Sequence, residues 1–241
     1  MTLASVILPT YNERDAIVSI LDDLLRVTRA HGLDAEFIVV DDSSPDGTAA
    51  AVRERFGTEA AVRVHVRGER GLAGAIRRGT QLAHGHTLLF MDTDGNHQPS
   101  DVPALVNALG DADVVVGSRF RQGSGGMPTS RVRQMCSRLF NQWACWTLGL
   151  PVTDCLSGFF AVRRDVLQEA DPDAIFLGYG DYAIHLLYWA TRRGASIVEI
   201  PVTYGPRRGG ESKTRFLTIF RDYFATVMRL RFHGLPTKSR A

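Results

Sequence analysis

The sequence predicts an α/β fold, a mostly parallel sheet with helices on both faces and an amphipathic helix at the C-terminus. Three observations carry this expectation. Short apolar runs alternate with segments of helical periodicity through the first half of the chain, the pattern of a parallel sheet with both faces covered. Several of those runs end in turns that carry carboxylates. No repeat, low-complexity tract or linker divides the 241 residues, a length sufficient for one large α/β domain or two small ones.

In chain order, Leu3 to Leu8 is β-prone and apolar, and Pro9-Thr10-Tyr11-Asn12-Glu13 is expected to break the strand. A helix follows, with Ile17, Ile20, Leu21, Leu24 and Leu25 on one face. Phe37 to Val40 reads as a second buried strand ending in Asp41-Asp42, and the turn Ser43 to Thr48 can cap the next helix. Val62 to Val66 alternates as a third strand, and Gly71 to Ala75 opens a third helix. Leu88 to Met91 is a fourth strand and Val114 to Val116 a fifth, ending at Gly117-Ser118-Arg119. Beyond it lie a glycine-rich loop at 123–128, a helix from about Ser130 to Leu148, and a short strand after Asp154 to Phe160. A helix from Tyr182 to Arg193, a strand from Ser196 to Ile200 and a basic glycine-rich loop at 206–213 follow, and an amphipathic segment from Phe216 to Phe232 ends the series.

Composition excludes some classes. Hydrophobic content of 44% and charged content of 22% are those of a folded soluble domain. A net charge of +2 does not call for nucleic acid, which is not expected as a partner. Cys136, Cys145 and Cys155 are nine and ten residues apart, neither a metal-ligand spacing nor a disulfide framework. Each is expected to be a small buried apolar residue, which fits a reducing compartment. No signal peptide is apparent at the N-terminus, and no run of about 18 apolar residues suggests a transmembrane helix.

The chemistry concentrates at Asp92-Thr93-Asp94. Ligands of open α/β sheets bind outside the carboxyl ends of the strands. Two carboxylates placed there repel each other unless they hold a cation. Asp-x-Asp suits a hard divalent ion that also binds phosphate, since Mg²⁺ takes one or two carboxylates plus substrate oxygens. A solvated acidic turn with a helix N-cap is the other reading of the same residues. Pro9 to Glu13 and Asp41-Asp42 fall on the same rim, where a carboxylate can accept hydrogen bonds from a base or ribose and Tyr11 can offer a stacking surface. Helix capping is the alternative for Asp41 and Asp42.

Pro9-Thr10-Tyr11-Asn12-Glu13, Val39-Val40-Asp41-Asp42, Asp92-Thr93-Asp94 and Ser157-Gly158-Phe159 resemble family 2 glycosyltransferases of the GT-A fold. Within that family, Asp42 to Thr48, Gly117-Ser118-Arg119-Phe120, Asp154-x-x-Ser157-Gly158-Phe159 and Gly210-Glu211-Ser212-Lys213 resemble the polyprenyl-phosphate (dolichol-phosphate) mannose synthase group. The resemblance extends from about Val6 to Arg231, and the Gly-Glu-Ser-Lys loop with its preceding arginines is its most specific part.

The resemblance implies an inverting transfer of mannose from GDP-mannose to a polyprenyl phosphate, with Mg²⁺ or Mn²⁺ on the donor diphosphate. By the same carry-over, Asp92 and Asp94 hold the metal, and Asn96 stands where the family often has Gln. Pro9, Tyr11, Glu13, Asp41, Asp42 and Gly71 line the nucleotide-sugar pocket together with Asp92. Arg119, Arg133 (or Arg131) and Arg207 contact the acceptor phosphate and leaving diphosphate, and Ser212 and Lys213 complete the acceptor site. Asp94, Arg119, Arg133 and Arg207 are thus the expected catalytic residues. A phosphate acceptor is already anionic, so it needs no general base; it needs positive charge, which planar arginines supply.

The final segment places Phe216, Phe220, Tyr223, Val227 and Leu230 on one helical face with Phe224 and Met228 beside it, and Arg215, Arg221, Arg229 and Arg231 around them. Such a helix can lie in a membrane interface or pack on the domain. Residues 1–213 are read as one catalytic domain and 214–241 as an amphipathic helix and tail. A lipid acceptor implies peripheral attachment to the cytoplasmic face of a membrane, with room for an integral-membrane partner.

The chain departs from the family pattern at Gly178-Tyr179-Gly180-Asp181, where the family commonly has a lysine, and at His185. Asp181 is expected to cap its helix, and His185 to be an ordinary buried or semi-exposed histidine. UDP-glucose, UDP-N-acetylglucosamine or a specialised acceptor are the runner-up substrates. A haloacid-dehalogenase-like phosphatase fits less well, because Asn96 stands where that motif has Thr and three strands come first. A dehydrogenase lacks its Gly-x-Gly-x-x-Gly turn after the first strand. A non-catalytic nucleotide-sugar-binding module would lack any need for the acid pair and the arginines together.

Overall fold

A computed structural model of the chain describes residues 3–125, 129–206 and 216–236, with only the backbone described over 216–219. Among the described residues, seven strands form one sheet: β1 (Ala4–Thr10), β2 (Ala35–Asp41), β3 (Val62–Val66), β4 (Thr87–Phe90), β5 (Val114–Ser118), β6 (Phe160–Arg163) and β7 (Ile197–Pro201). Their order is β3-β2-β1-β4-β6-β5-β7. All pairings are parallel except those of β6, which runs antiparallel to both β4 and β5. The sheet is therefore mostly parallel, as expected.

The helices are α1 (Arg14–Ala30), α2 (Thr48–Phe56), α3 (Leu72–Leu82), α4 (Val102–Ala108), α5 (Arg131–Leu148), α6 (Arg164–Gln168), α7 (Pro172–Ile175), α8 (Tyr182–Arg192) and α9 (Phe216–His233). Two apolar cores sandwich the sheet, because strand side chains alternate between its faces. Val6, Leu8, Val39 and Leu89 pack against Ile17, Ile20, Leu21 and Leu24 of α1. Ile7, Ile38, Val40 and Phe90 face a second core that includes residues of α3, α5, α8 and α9. Each such fully buried side chain contributes roughly 2 kcal/mol relative to exposure. A Leu24→Ala cavity would cost about 2–5 kcal/mol.

Strand β1 does not stop before Pro9, as the sequence led us to expect. It continues to Thr10, with Pro9 paired to Val40. Proline is tolerated here because of strand parity. Ile7 accepts from Met91 N–H on the β4 side, so Pro9, two residues on, faces the same way. The β4 ladder has ended at Ile7, so no partner requires the N–H that proline lacks. The Pro9 carbonyl instead accepts from Thr93 Oγ1 at 2.9 Å.

The chain moves outward from β1 to β2 and β3, then returns across β1 to β4. The sequence direction of the sheet thus reverses between β1 and β4. The crevice at such a switch point is where ligands of open α/β sheets bind.

Candidate active site

A cleft of about 800 Å³ opens at the carboxyl ends of β1, β2 and β4. Its lining includes Pro9, Tyr11, Glu13, Asp42, Gly71, Asp92, Asp94, Asn96 and Arg119, which the sequence had singled out from five separate segments. It also includes Arg70, Gly158, Tyr179, Tyr182, Tyr204 and Tyr223, which the sequence had not assigned to a site.

The end of the cleft under β1 and β2 is built from turn chemistry. Asn12 and Ser43 both adopt left-handed backbone, with φ of 55° and 54°. Asn12 N–H donates to Ser44 Oγ at 2.9 Å, locking the two strand-end turns together. Asp41 is buried and accepts from Ser44 N–H at 3.0 Å and from its hydroxyl. Its carboxylate thus holds the turn, and it is not among the cleft-lining residues. Asp42 does face the cleft. It accepts from Gly71 N–H at 2.8 Å and lies 3.4 Å from Arg67 Nη1. Burial raises the Asp42 pKa above the ordinary carboxylate value despite these partners. Beside it, the Arg70 guanidinium lies 3.7 Å from the Tyr11 ring centroid, a cation–π stack on the cleft wall.

The acid pair follows β4. Asn96 donates to Asp94 twice, from its backbone N–H at 2.9 Å and from Nδ2 at 2.8 Å. Its visible contribution is to orient Asp94. The Asp92 peptide N–H donates to His97 Nδ1 at 2.9 Å, and His97 Nε2 lies 2.6 Å from Tyr204 Oη. The imidazole stacks on Phe159 at 4.7 Å and is fully buried. Burial lowers its pKa to about 4, so the ring is neutral, accepting at Nδ1 and donating at Nε2. No group of three or more His, Cys, Asp or Glu side chains able to hold a metal occurs among the described residues. Two carboxylates in an open cleft nonetheless fit a cation that takes its other ligands from phosphate and water.

Across the cleft, the motif Ser157-Gly158-Phe159 acquires a physical account. Ser157 Oγ donates to the Gly117 carbonyl at 2.6 Å, tying this loop to β5. Phe159 is the platform under His97. A Cβ on Gly158 would stand 3.3 Å from Asp92 Oδ2 and 3.5 Å from Tyr182 Oη, so glycine leaves room between them.

Arg119 lies on this side. Its Nε and Nη2 fork onto Asp154 at 2.8 and 2.6 Å, and its backbone N–H reaches the same carboxylate at 3.0 Å. Asp154 is completely buried. Burial opposes the guanidinium charge, but the Asp154 pairing outweighs it and raises the pKa further. The guanidinium also packs 5.2 Å from the Tyr204 ring centroid.

Other expected residues are not brought to the cleft. Arg131 and Arg133 stand exposed on the first turn of α5 and are not among the cleft-lining residues. Arg207, Ser212 and Lys213 lie outside the described residues. Asp181 occupies the N-cap position of α8 but does not cap it with its side chain. Its oxygens are taken by Tyr179 N–H at 2.8 Å and by Thr226 Oγ1 of α9 at 3.0 Å. That bond pins α9 beside the cleft, where Tyr223 forms part of the wall. His185 is buried in α8 as expected, and burial lowers its pKa.

Sheet, cleft, acid pair and arginine together suit the binding of a phosphorylated ligand. Comparison with known proteins narrows this. The sequence pattern of glycosyl transferase family 2 matches residues 5–170. The chain is 39% identical over 212 residues to an undecaprenyl-phosphate mannosyltransferase of Micrococcus luteus, covering 86% of this chain and 85% of that one. It is 35% identical to a polyprenol monophosphomannose synthase of Mycolicibacterium smegmatis, covering 86% and 79%. It is 32% identical to a dolichol-phosphate mannosyltransferase of Pyrococcus furiosus, covering 94% of this chain and spanning only 63% of that protein. Among solved structures, glucosyl-3-phosphoglycerate synthase of Mycobacterium tuberculosis with phosphoglyceric acid superposes with a TM-score of 0.71 at 26% identity, covering 98% and 82% of the two chains. A second crystal structure of that enzyme, with Mn²⁺, UDP and glucosyl-3-phosphoglycerate, gives 0.71 at 25% identity, covering the same shares. The chain belongs to glycosyl transferase family 2: it is a glycosyltransferase of the GT-A fold.

Proposed function

We propose that this chain transfers mannose from GDP-mannose to the phosphate of a polyprenyl (dolichyl-type) phosphate, with inversion, forming polyprenyl-phosphate mannose. One observation carries the reading: Asp92, Asp94 and the part-buried, forked Arg119 line a single cleft at the switch point of the sheet. The names of the three relatives support mannose as the sugar and a polyprenyl-type lipid as the acceptor.

In this reading the nucleotide lies against Tyr11, Glu13, Asp42, Arg70 and Gly71, and the diphosphate reaches toward β4. Asp92 and Asp94 hold Mg²⁺ or Mn²⁺ there, with Asn96 and His97 fixing the turn that carries them. When bound, such an ion offsets the charge developing on the departing diphosphate. An oxygen of the acceptor phosphate bonds to the anomeric carbon as the bond from that carbon to the diphosphate oxygen breaks, and GDP leaves. The acceptor is already an anion, so the residues around it need only bring two anions together. Arg119 serves this electrostatic role from a fixed position. Arg133, Arg207, Ser212 and Lys213 are assigned to the acceptor phosphate on the family resemblance alone.

A lipid acceptor requires a surface to work at, and α5 with α9 supplies one. Val132, Met135, Leu139 and Trp146 are exposed along one side of α5, beside half-exposed Phe220 and Phe224 of α9. Trp143 stacks on Phe224 at 5.0 Å, and Phe140 meets Phe220 at 4.6 Å, so the two helices form one apolar shoulder. Exposed Arg131, Arg133, Arg138, Arg221 and Arg229 belong to the same helices. This composition suits the headgroup boundary of an anionic membrane. Tyr223, Val227 and Leu230 of α9 instead pack inward, so the helix serves both the core and the surface. No helix among the described residues is long and apolar enough to cross a membrane. We place the chain on the cytoplasmic face, peripherally bound, with or without an integral-membrane partner.

The test is a panel of radiolabelled GDP- and UDP-sugars with polyprenyl phosphate, Mn²⁺ and detergent. Mannose from GDP-mannose should enter the organic-extractable product. Label transferred only from UDP-sugars would overturn the donor assignment.

A further inference from the structure

Tyr182 is the first residue of α8 and the largest fully buried side chain among the described residues. Its ring is held 6.1 Å from Phe160. The residue lines the cleft, and its buried hydroxyl finds no hydrogen-bond partner among the described residues. A buried hydroxyl left without an acceptor costs free energy, so a tyrosine kept at such a place, where phenylalanine would fill the same volume, points to a polar ligand. The geometry locates it. The Asp92 carboxylate and the Tyr182 hydroxyl flank Gly158 on the same side, each within 3.5 Å of where a Cβ would stand, and the missing methyl leaves the space over the Gly158 backbone open between them. An ionised carboxylate only accepts and a phenol can donate, so together they match one hydroxyl group, which does both.

The position along the cleft names the ligand. The nucleotide end lies over β1 and β2 and the metal pair follows β4, whereas Gly158 precedes β6, one strand further along the sheet. The group beyond the diphosphate of a sugar nucleotide is the sugar. Resting on the donor assignment above, we propose that Tyr182 is a specificity-determining residue, its hydroxyl and the Asp92 carboxylate together holding one hydroxyl of the transferred hexose above Gly158. Tyr179, Tyr204 and Tyr223 close the wall around this point. Gly180 belongs to the same device, since a Cβ there would run into Tyr223 Oη and displace that side of the wall.

Tyr182→Phe removes the hydroxyl and leaves the ring. It is assayed beside the native enzyme with whichever hexose donor the native enzyme accepts, and with its 2-, 3-, 4- and 6-deoxy analogues. If the native enzyme transfers from no nucleotide-sugar, the donor assignment fails before Tyr182 is tested. Given transfer, Tyr182→Phe should lower kcat/KM for the full sugar roughly 10- to 100-fold, as the loss of a hydrogen bond to a buried group does. One deoxy analogue should already be poor with the native enzyme and lose nothing further in the variant, while the other three fall with the full sugar. Binding of the free nucleoside diphosphate should be unchanged. An equal loss for all four analogues, an unchanged kcat/KM for the full sugar, or a parallel loss of nucleoside diphosphate affinity would each overturn the proposal. Gly158→Ala supplies a second variant: its methyl should depress transfer of the full sugar more than binding of the nucleoside diphosphate, and equal effects on both would count against the subsite.

Discussion

Arg119 and Asp154 lie 35 residues apart and meet as a fork, with two guanidinium nitrogens on two carboxylate oxygens at 2.8 and 2.6 Å. The carboxylate has no exposure to solvent, and the arginine backbone N–H binds it as well. A positive charge on the cleft wall is thereby fixed in place before any ligand arrives. Removing one partner of a buried pair leaves the other uncompensated. Asp154→Asn is therefore expected to destabilise the fold by about 3–5 kcal/mol in denaturant titration. Arg119→Lys keeps the charge but loses the fork, and should lose transfer activity with a smaller change in stability.

His97 acts on the acid turn from behind. Its neutral Nδ1 accepts the Asp92 peptide N–H, and its other nitrogen meets Tyr204 on the segment leading to the basic loop. Groups that orient metal ligands typically change metal affinity 10- to 100-fold when removed. His97→Phe should raise the Mn²⁺ concentration needed for half-maximal transfer by about tenfold. His97→Asn, which can keep an acceptor near Nδ1, should restore part of that loss. An unchanged metal requirement in His97→Phe would show that the ring only fills space.

Much of this fold is legible in the sequence, because β1, β2, β4 and β5 are apolar runs whose burial on both faces leaves no ambiguity of type. Other parts are not, for physical reasons. β6 spans only four residues, and its antiparallel insertion between β4 and β5 follows from pairing with distant strands. Pro9 signals a strand break locally, and only the early end of the β4 ladder makes it compatible with a strand. At the site, acids beside apolar runs were readable as strand-end groups. His97 and Tyr204 were not, since they meet across 107 residues. Asp181 looked like a helix cap because its position is one; its side chain went to Thr226, a partner on α9 that no local rule could supply. Asp41 and Asp42 are adjacent, yet strand alternation sends one into a turn and the other into the cleft.

The apolar shoulder gives a prediction of its own. Trp146 is 83% exposed, so replacing it should leave the fold intact. Trp146→Glu with Phe224→Ser should reduce sedimentation with anionic lipid vesicles at least tenfold. Transfer to a short-chain acceptor in detergent should be unaffected. Equal vesicle binding by native and variant chains would assign the shoulder to another partner.

Glu36, at the opposite end of the sheet, supplies a pH signature unrelated to catalysis. Burial opposes its charge, but Ser5, the His84 N–H, Arg63 and the His84 ring together lower its pKa below 4.5. A depressed carboxylate stabilises the fold above its unfolded-state pKa and loses that contribution as pH falls through its folded value. Glu36→Gln should therefore be less stable than the native chain at pH 7. The difference in melting temperature should shrink as pH falls below 4.5. A constant difference across that range would contradict the assignment.

The central claim is that Asp92 and Asp94 hold the ion on a sugar nucleotide while arginines hold the acceptor. Asp94→Ala, assayed for transfer of radiolabelled mannose from GDP-mannose to polyprenyl phosphate across a Mn²⁺ titration, tests it most directly. The account predicts a loss of transfer of at least about 1,000-fold that added Mn²⁺ does not restore, in a chain with native melting behaviour. Native rates in Asp94→Ala with an unchanged Mn²⁺ dependence would contradict it.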